Sequence, residues 1–407
     1  MTAVRARGDR VASRGANTVD VCMLFRDFDS RIISQAKILC GRGFGVRLIG
    51  PDSVGYGLAR SMLPKCTRND VIPFRGPPVP IVDLRLQLAQ LVKALGSSCE
   101  VYHCHGMNEI LCGLALKALR RFVIYDVGDD VPSIIATMVG RMIGSQALGK
   151  CLESILRSFE VICCGKFDRI VALTDTLAKD RSRYNDRTFT IGYYPDPSYN
   201  PSNVDGFLLE KYKRYNVVIY DGTMIPEKGI YTMLEVSDLV RREIENYKLL
   251  LIGGFGQYRE RAKRSFLHRI SELGLEENVE LLGWVPYDQV PRYINLGKLG
   301  LCLLVPWCYS YLVTEPYKVF EVMACGKPVV VAQDNLPARL LVEESGGGIL
   351  VNQADVRGTA DCIMRLIRDD PARQKLGNNA RKFIEDRRNL QHFEQKLLSL
   401  YQQTPIA

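Results

Sequence analysis

The stretch LGLCLLVPWCYSYLVTEPYKVFEVMACGKPVVVA, residues 299–332, decides how the rest of the chain is read. Its two ends, 299–305 and 329–332, are apolar runs of strand length. Between them Pro316 suits the first turn of a helix, Gly326 suits its C-terminal cap, and Pro328 prevents the helix from continuing. Val319 and Met323 fall on one helical face with Phe320 and Ala324 beside them, a stripe that packs on a sheet. Lys318 and Glu321, three residues apart, share a different face. A cation and a carboxylate just beyond a buried strand lie where open α/β sheets bind ligands. The plainer alternative is a solvated pair that stabilises the helix by roughly 0.2–0.5 kcal/mol.

The same strand-then-helix pattern extends in both directions. Upstream, 217–220 reads as a strand, followed by DGTMIPEKGI and then helical spacing at Ile230, Met233 and Leu234. A glycine after a strand (Gly222) and Lys228-Gly229 at the start of the next helix suit a pyrophosphate. Backbone N–H groups and the helix dipole meet the anion, and the ammonium neutralises it. An ordinary loop with a solvated lysine is the alternative. Further strands are expected at 249–252 and 279–282. The glycines of 253–256 lack the third member of a dinucleotide fingerprint, Arg259 standing there instead. Helices are expected around Ala360, Ile363, Met364 and Ile367 and over 390–401.

The first half alternates in the same way. Strands are expected at 19–25, 46–50, 101–105, 122–125 and, as the last of this half, 169–174; helices are expected at 32–39 and 81–95. Gly41, Gly43 and Gly45 end a helix and precede a strand, so they form a turn rather than a cofactor loop. The turn RDFDSR after the first strand carries Asp27, Asp29 and Arg31, and Asp29 is also a natural N-cap. The Pro- and turn-rich GYYPDPSYNPSNVDG links the halves. The fold class is therefore α/β, with two Rossmann-like parallel-sheet domains. The expected limits are a disordered basic arm at 1–18, a first domain at 19–195, a linker at 196–215, a second domain at 216–385 and a terminal helix at 386–407.

Composition sets outer bounds. No run among the 407 residues approaches eighteen apolar positions, which argues against a spanning helix. The arm lacks the apolar centre of a secretory signal, and thirteen cysteines without a C-x-x-C suit reduced, buried thiols in a cytoplasmic protein. A net charge of +9 favours an anionic ligand or an anionic membrane surface, while no basic stretch is interleaved with aromatics as nucleic-acid binding would require. The amphipathic, cationic segment 132–166 could rest peripherally on anionic lipid; two helices covering a sheet are the simpler account. His103 and His105 share a strand face, but no third metal ligand is near in sequence, so no metal is expected.

PYKVFEVMACGKPVVVA resembles the signature of family 4 glycosyltransferases, retaining enzymes of group 1 with the two-domain GT-B fold. The resemblance implies domains facing across a cleft, the terminal helix crossing back to the first domain, and a nucleotide-diphosphate sugar as co-substrate with no other cofactor. It further implies transfer to a glycan, lipid-linked or small hydroxyl acceptor, as in polysaccharide biosynthesis. Glu321 matches the second of the family's two acids and would hold ribose hydroxyls. The first acid would fall at Val313, and Glu315 is the candidate to replace it; Pro316, Lys318 and Glu321 match a Pro-x-Lys-x-x-Glu variant. DGTMIPEKG matches the phosphate turn, with Gly222, Lys228 and Gly229 in place and Thr223 where an arginine is common, a loss for which Lys318 would compensate. VYHCHG resembles the strand that ends by the donor sugar, which gives His105 a catalytic role. Asp29, Arg31 and Asp129 fall near the acceptor. A nucleotide-sugar epimerase and a non-catalytic binding protein are the alternatives.

Overall fold

The first strand, β1 (Asp20–Phe25), is buried along nearly its whole length, as a parallel strand covered on both faces must be. The computed structural model of the protein describes residues 19–26, 28–52, 63–65, 67–73, 83–255 and 259–401; the expected arm at 1–18 and Asp27 lie outside them. After β1 come α1 (Ser30–Gly41), β2 (Gly45–Pro51), β3 (Thr67–Ile72), α2 (Leu84–Leu95), β4 (Val101–His105), α3 (Ile110–Ala118) and β5 (Phe122–Val127). The first domain continues through α4 (Val131–Met142), α5 (Gln146–Cys164), β6 (Arg169–Ala172), α6 (Asp175–Ser182) and β7 (Thr188–Thr190). Its seven strands form a parallel sheet in the order β3-β2-β1-β4-β5-β6-β7. Ile32, Ala36 and Leu39 of α1 pack on one face, whereas α2, α3 and α5 cover the other through Leu86, Ile110, Leu116 and Cys164. Gly41 closes α1 and Gly43 takes a φ of 87°, so the glycine cluster is a helix-to-strand turn.

The second domain runs α7 (Gly206–Tyr212), β8 (Asn216–Asp221), α8 (Ile230–Glu243), β9 (Tyr247–Ile252), α9 (Arg259–Glu272), β10 (Val279–Gly283), α10 (Val290–Ile294) and β11 (Leu299–Cys302). It continues with α11 (Tyr309–Val313), α12 (Tyr317–Ala324), β12 (Val329–Ala332), α13 (Leu336–Ser345), β13 (Gly348–Val351), α14 (Val356–Arg368) and α15 (Asp370–Arg387). The six strands are parallel in the order β10-β9-β8-β11-β12-β13. α16 (Leu390–Ser399) leaves this domain and lies on the first, where Phe393 stacks on Tyr194 at 4.9 Å and Leu397 joins the core of β1 and α1.

Several local expectations need correction. The strand expected at 299–305 stops at Cys302, because the Val305 N–H turns to bond Glu227 O rather than a neighbouring strand. The bracketed segment holds two helices, and Pro316 is the N-cap of α12 rather than a residue of its first turn. β6 is not the last strand of the first domain: β7 pairs beyond it through Ile170 and Thr188. α7 sits inside the stretch expected as linker, its Tyr212 buried in the second domain's core. Ten of the eleven free cysteines among the described residues are buried; Cys40 is disulfide-bonded, so the all-thiol expectation fails there. Among the described residues no helix is long and apolar enough to cross a membrane.

Candidate active site

β8 ends at Asp221, and the chain then turns through Gly222 and Thr223 into α8. Gly229 precedes α8 with a φ of 77°, and a Cβ there would lie 2.0 Å from Leu303 O, so only glycine fits. It leaves the helix without a side-chain cap, and the first-turn N–H groups stay open to an anion. Lys228, half-buried beside this helix end, sets its ammonium 4.6 Å from the centre of the Tyr311 ring.

α12 brings Lys318 to the other side of the same turn. Its Nζ lies 3.1 Å from Asp221 Oδ2 and 2.9 Å from Glu321 Oε2. Burial works against the Lys318 ammonium, yet Asp221 and Glu321 outweigh it and raise its pKa. One cation thus serves two buried carboxylates, and the expected compensation for Thr223 is corrected: Lys318 has no surplus positive charge. Glu321 is fully buried, and burial pushes its carboxyl above the usual range against the pull of Lys318. The hydroxyls of Tyr193 and Tyr287 donate to its Oε1 at 2.5 and 3.2 Å, while Oε2 faces the Lys318 ammonium. Tyr220, whose hydroxyl donates to Thr223 O at 2.8 Å, feels Lys318 and the Tyr311 on which Lys228 rests. The two lysines therefore border one turn.

In the first domain, β4 carries His103 and ends at His105, and the two rings stack at 4.3 Å. Asp126, near the end of β5, receives Arg31 Nη1 at 2.5 Å and lies 3.3 Å from His103 Nε2 and 3.7 Å from His105 Nδ1. His103 Nδ1 meets the Tyr401 hydroxyl at 2.8 Å. Burial raises the Asp126 pKa, but Arg31 and the two histidines more than reverse this and hold the carboxyl well below the usual range. Burial and the neighbouring His103 push the His105 imidazole well below 6.5, so it is neutral near pH 7. Asp126 supplies the third donor of a His103–His105–Asp126 group that the sequence lacked, with donor atoms within 4.8 Å of one another. Arg31 already balances that carboxylate.

The remaining expected residues divide. Asp129 lies in the wall between the domains: Ser310 Oγ donates to it at 3.4 Å, and Lys228 offsets the upward push of burial on its carboxyl. Asp29 is exposed and caps α1, accepting from the N–H groups of Arg31 and Ile32. Arg31 is corrected as an acceptor contact, since its guanidinium is buried on Asp126 and Ile191 O. Glu315 is corrected as the replacement for the missing acid: its oxygens are taken by Arg388 and by the Tyr193 N–H, both at 2.6 Å.

Sequence reasoning gave no role to Asp126, Asp221, Tyr193, Tyr287 or Tyr317. The tyrosine of α12, Tyr317, stacks on Tyr193 at 4.3 Å and feels Asp29, Arg31, Asp126 and Asp129. A usable signal existed for the two aspartates. Val-Ile-Tyr-Asp occurs at 123–126 and again at 218–221, an acid closing an apolar strand in each half, and each acid meets a cation inside the fold.

The family model described as glycosyl transferases group 1 matches residues 206–383. The alpha-D-kanosaminyltransferase of Streptomyces kanamyceticus is 24% identical over 58% of this chain and 60% of its own length. The poly(ribitol-phosphate) alpha-N-acetylglucosaminyltransferase of Staphylococcus aureus (strain COL) is also 24% identical, over 58% of this chain and 44% of its own length. The chain thus matches only about half the length of these curated relatives. Among solved structures, Anabaena HepE in complex with UDP-glucose superposes with a TM-score of 0.73 at 17% identity, covering 95% of this chain and 100% of that one. Sucrose-phosphate synthase from Thermosynechococcus elongatus gives 0.72 at 16% identity, over 95% and 98%. The chain therefore has the two-domain GT-B fold of these structures, and its residues 206–383 are similar to the glycosyl transferases group 1 family.

Proposed function

We propose that this protein transfers a sugar from a nucleotide-diphosphate sugar to a hydroxyl acceptor, with retention at the anomeric carbon and without a metal ion. The observation that carries the proposal is the uncapped N-terminus of α8 with Lys228 beside it, facing Asp129 of the first domain. Charge that grows on a leaving diphosphate would meet oriented N–H groups and an ammonium, which is where catalysis needs them. In the step itself the bond from the anomeric carbon to the phosphate oxygen breaks and a bond to the acceptor oxygen forms on the same face. The acceptor proton passes to the departing phosphate, so no protein base is assigned. His105, neutral and with Nε2 unpartnered among the described residues, offers a hydrogen bond to the donor sugar. Asp126 holds charge balance behind it. Glu321 would take a ribose hydroxyl at Oε2, or at Oε1 once the Tyr193 hydroxyl gives way. The relatives named as glycosyltransferases support the reaction class, and the UDP-glucose held by HepE makes UDP-sugars the first donors to try.

The test is incubation with UDP- and GDP-sugars, following release of nucleotide diphosphate with and without simple hydroxyl acceptors. Release with at least one donor supports the proposal, and anomeric analysis of the product decides retention. Conversion of a donor sugar with the nucleotide still attached would instead identify an epimerase. Val313, buried and with its carbonyl accepting the Thr174 hydroxyl, together with the fully neutralised Lys318, favours a second reading of nucleotide-sugar binding without turnover. Calorimetric binding with no release would establish that reading.

A further inference from the structure

We propose that the outer face of the first domain's α2–α3–α5 layer is a docking surface for an anionic lipid bilayer. α2 turns Leu86 and Ala94 into the core but leaves Leu84, Leu88, Val92 and Leu95 between 40 and 65% exposed, an unbroken stripe along its solvent side. α5 does the same: Leu148, Ile155, Phe159 and Ile162 are between 39 and 60% exposed. At the α4–α5 turn Met142 is 81% and Ile143 53% exposed. α2 and α5 pack on the same face of one sheet, so their outward sides look the same way, with Leu119 exposed at the end of α3 between them. Scattered apolar residues need no explanation, but aligned stripes on neighbouring helices do.

The charge on this layer selects the occupant. α2, α3, α4 and α5 together hold six basic residues and two acids. Glu160 is buried against Arg181, and Glu153 pairs with Arg157, which it shares with the buried Asp130. Lys150 is exposed among the apolar stripes, as are Arg85, 3.7 Å from its helix cap Asp83, and Arg141, 3.9 Å from Glu227; Arg120, Arg121 and Lys166, also exposed, follow the ends of α3 and α5. An apolar face ringed by cations and free of exposed acid on its helices matches a headgroup region that is negative outside and apolar beneath. A membrane docked here would lie near the second domain, because Arg141, next to the α4–α5 turn, stacks on its Trp307 at 5.3 Å. The docking does not depend on the sugar-transfer reading, since lipid binding requires no substrate.

The experiment is co-sedimentation of the full chain with vesicles of phosphatidylcholine alone and of phosphatidylcholine mixed with phosphatidylglycerol. The wild-type chain is expected to pellet with the anionic vesicles and to be released as salt is raised. The double variant Leu88→Glu/Ile155→Glu, altered at exposed positions only, is expected to bind roughly tenfold or more weakly. Lys150→Glu is expected to bind roughly fivefold more weakly. Circular dichroism and UDP calorimetry unchanged in these variants separate lost docking from lost folding or lost donor binding. A wild-type chain that stays in the supernatant, or a double variant that pellets equally well, overturns the proposal. So does a dimer in gel filtration that the double variant dissociates while neither form binds vesicles, because the face would then belong to a second copy.

Discussion

Lys228 and Glu321 differ in how much of their chemistry is already spoken for. The ammonium of Lys228 rests on a tyrosine ring in a half-buried position, so a phosphate can take it up at little cost. Lys228→Ala should weaken UDP-sugar binding by roughly 1.5–3 kcal/mol, the worth of a charged hydrogen bond, with thermal stability unchanged; calorimetry and a melting curve together check this. Glu321 lies in a closed network in which Tyr193 links it to Ser30 of the first domain. Tyr193→Phe should therefore lower stability by about 1.5–3 kcal/mol in urea unfolding, because a buried carboxylate loses a donor. No change in the unfolding midpoint would show that water or another group replaces it. Lys318 and Glu321 could be paired from their spacing alone. Asp221, the second carboxylate on Lys318, could not, as it lies in a different strand.

At the level of elements, the turn into α8 depends on a backbone shape that only one residue type supplies. Gly229→Ala would drive a methyl group into Leu303 O and force a side chain into a left-handed conformation. It should cost more than about 1 kcal/mol of stability and reduce donor affinity by shifting the open helix end. Unaltered UDP binding by this variant would detach the anion site from the α8 terminus. Elements differ in legibility for a physical reason. Central strands such as β1, β8 and β12 are covered on both faces and read as largely apolar runs. β3 and β7 sit at the edges of the first sheet with half-exposed, mixed sequences, TRNDVI and TFT, and they gave no signal.

Over the whole molecule, the terminal helix and the buried charges set how the domains hold together. Ending the chain after Arg388 would remove Phe393, Leu397 and Leu400, all buried in the first domain's core. Each is worth about 1.5–3 kcal/mol, against a total stability of roughly 5–15 kcal/mol. The shortened chain should lose a cooperative transition in calorimetry or fail to accumulate. Acid stability should follow His105 and Asp126. A folded imidazole held below 6.5 stays unprotonated while the unfolded chain takes up a proton, so its contribution is intact above pH 6.5 and declines as the pH falls through that value. Asp126, depressed below 3.8, adds stability that is complete above pH 3.8 and is lost on further acidification. His105→Gln should remove the upper step from the melting temperature plotted against pH; identical profiles for the two proteins would place the acid sensitivity elsewhere.

By itself the sequence determined the alternation of strands and helices, the two-sheet architecture, the strand-to-helix turn at Gly222–Gly229 and the Lys318–Glu321 pair. All of these are set by spacings within a turn or two of chain. Only the tertiary structure decided that Arg31 belongs to Asp126, 95 residues away, that Glu315 belongs to Arg388, 73 away, and that Tyr193 closes over Glu321, 128 away. Periodicity states which face of an element is buried, but the partner of a buried charge is chosen by how separate elements pack. The residues that carry charge into this site are therefore the ones that local pattern could not assign.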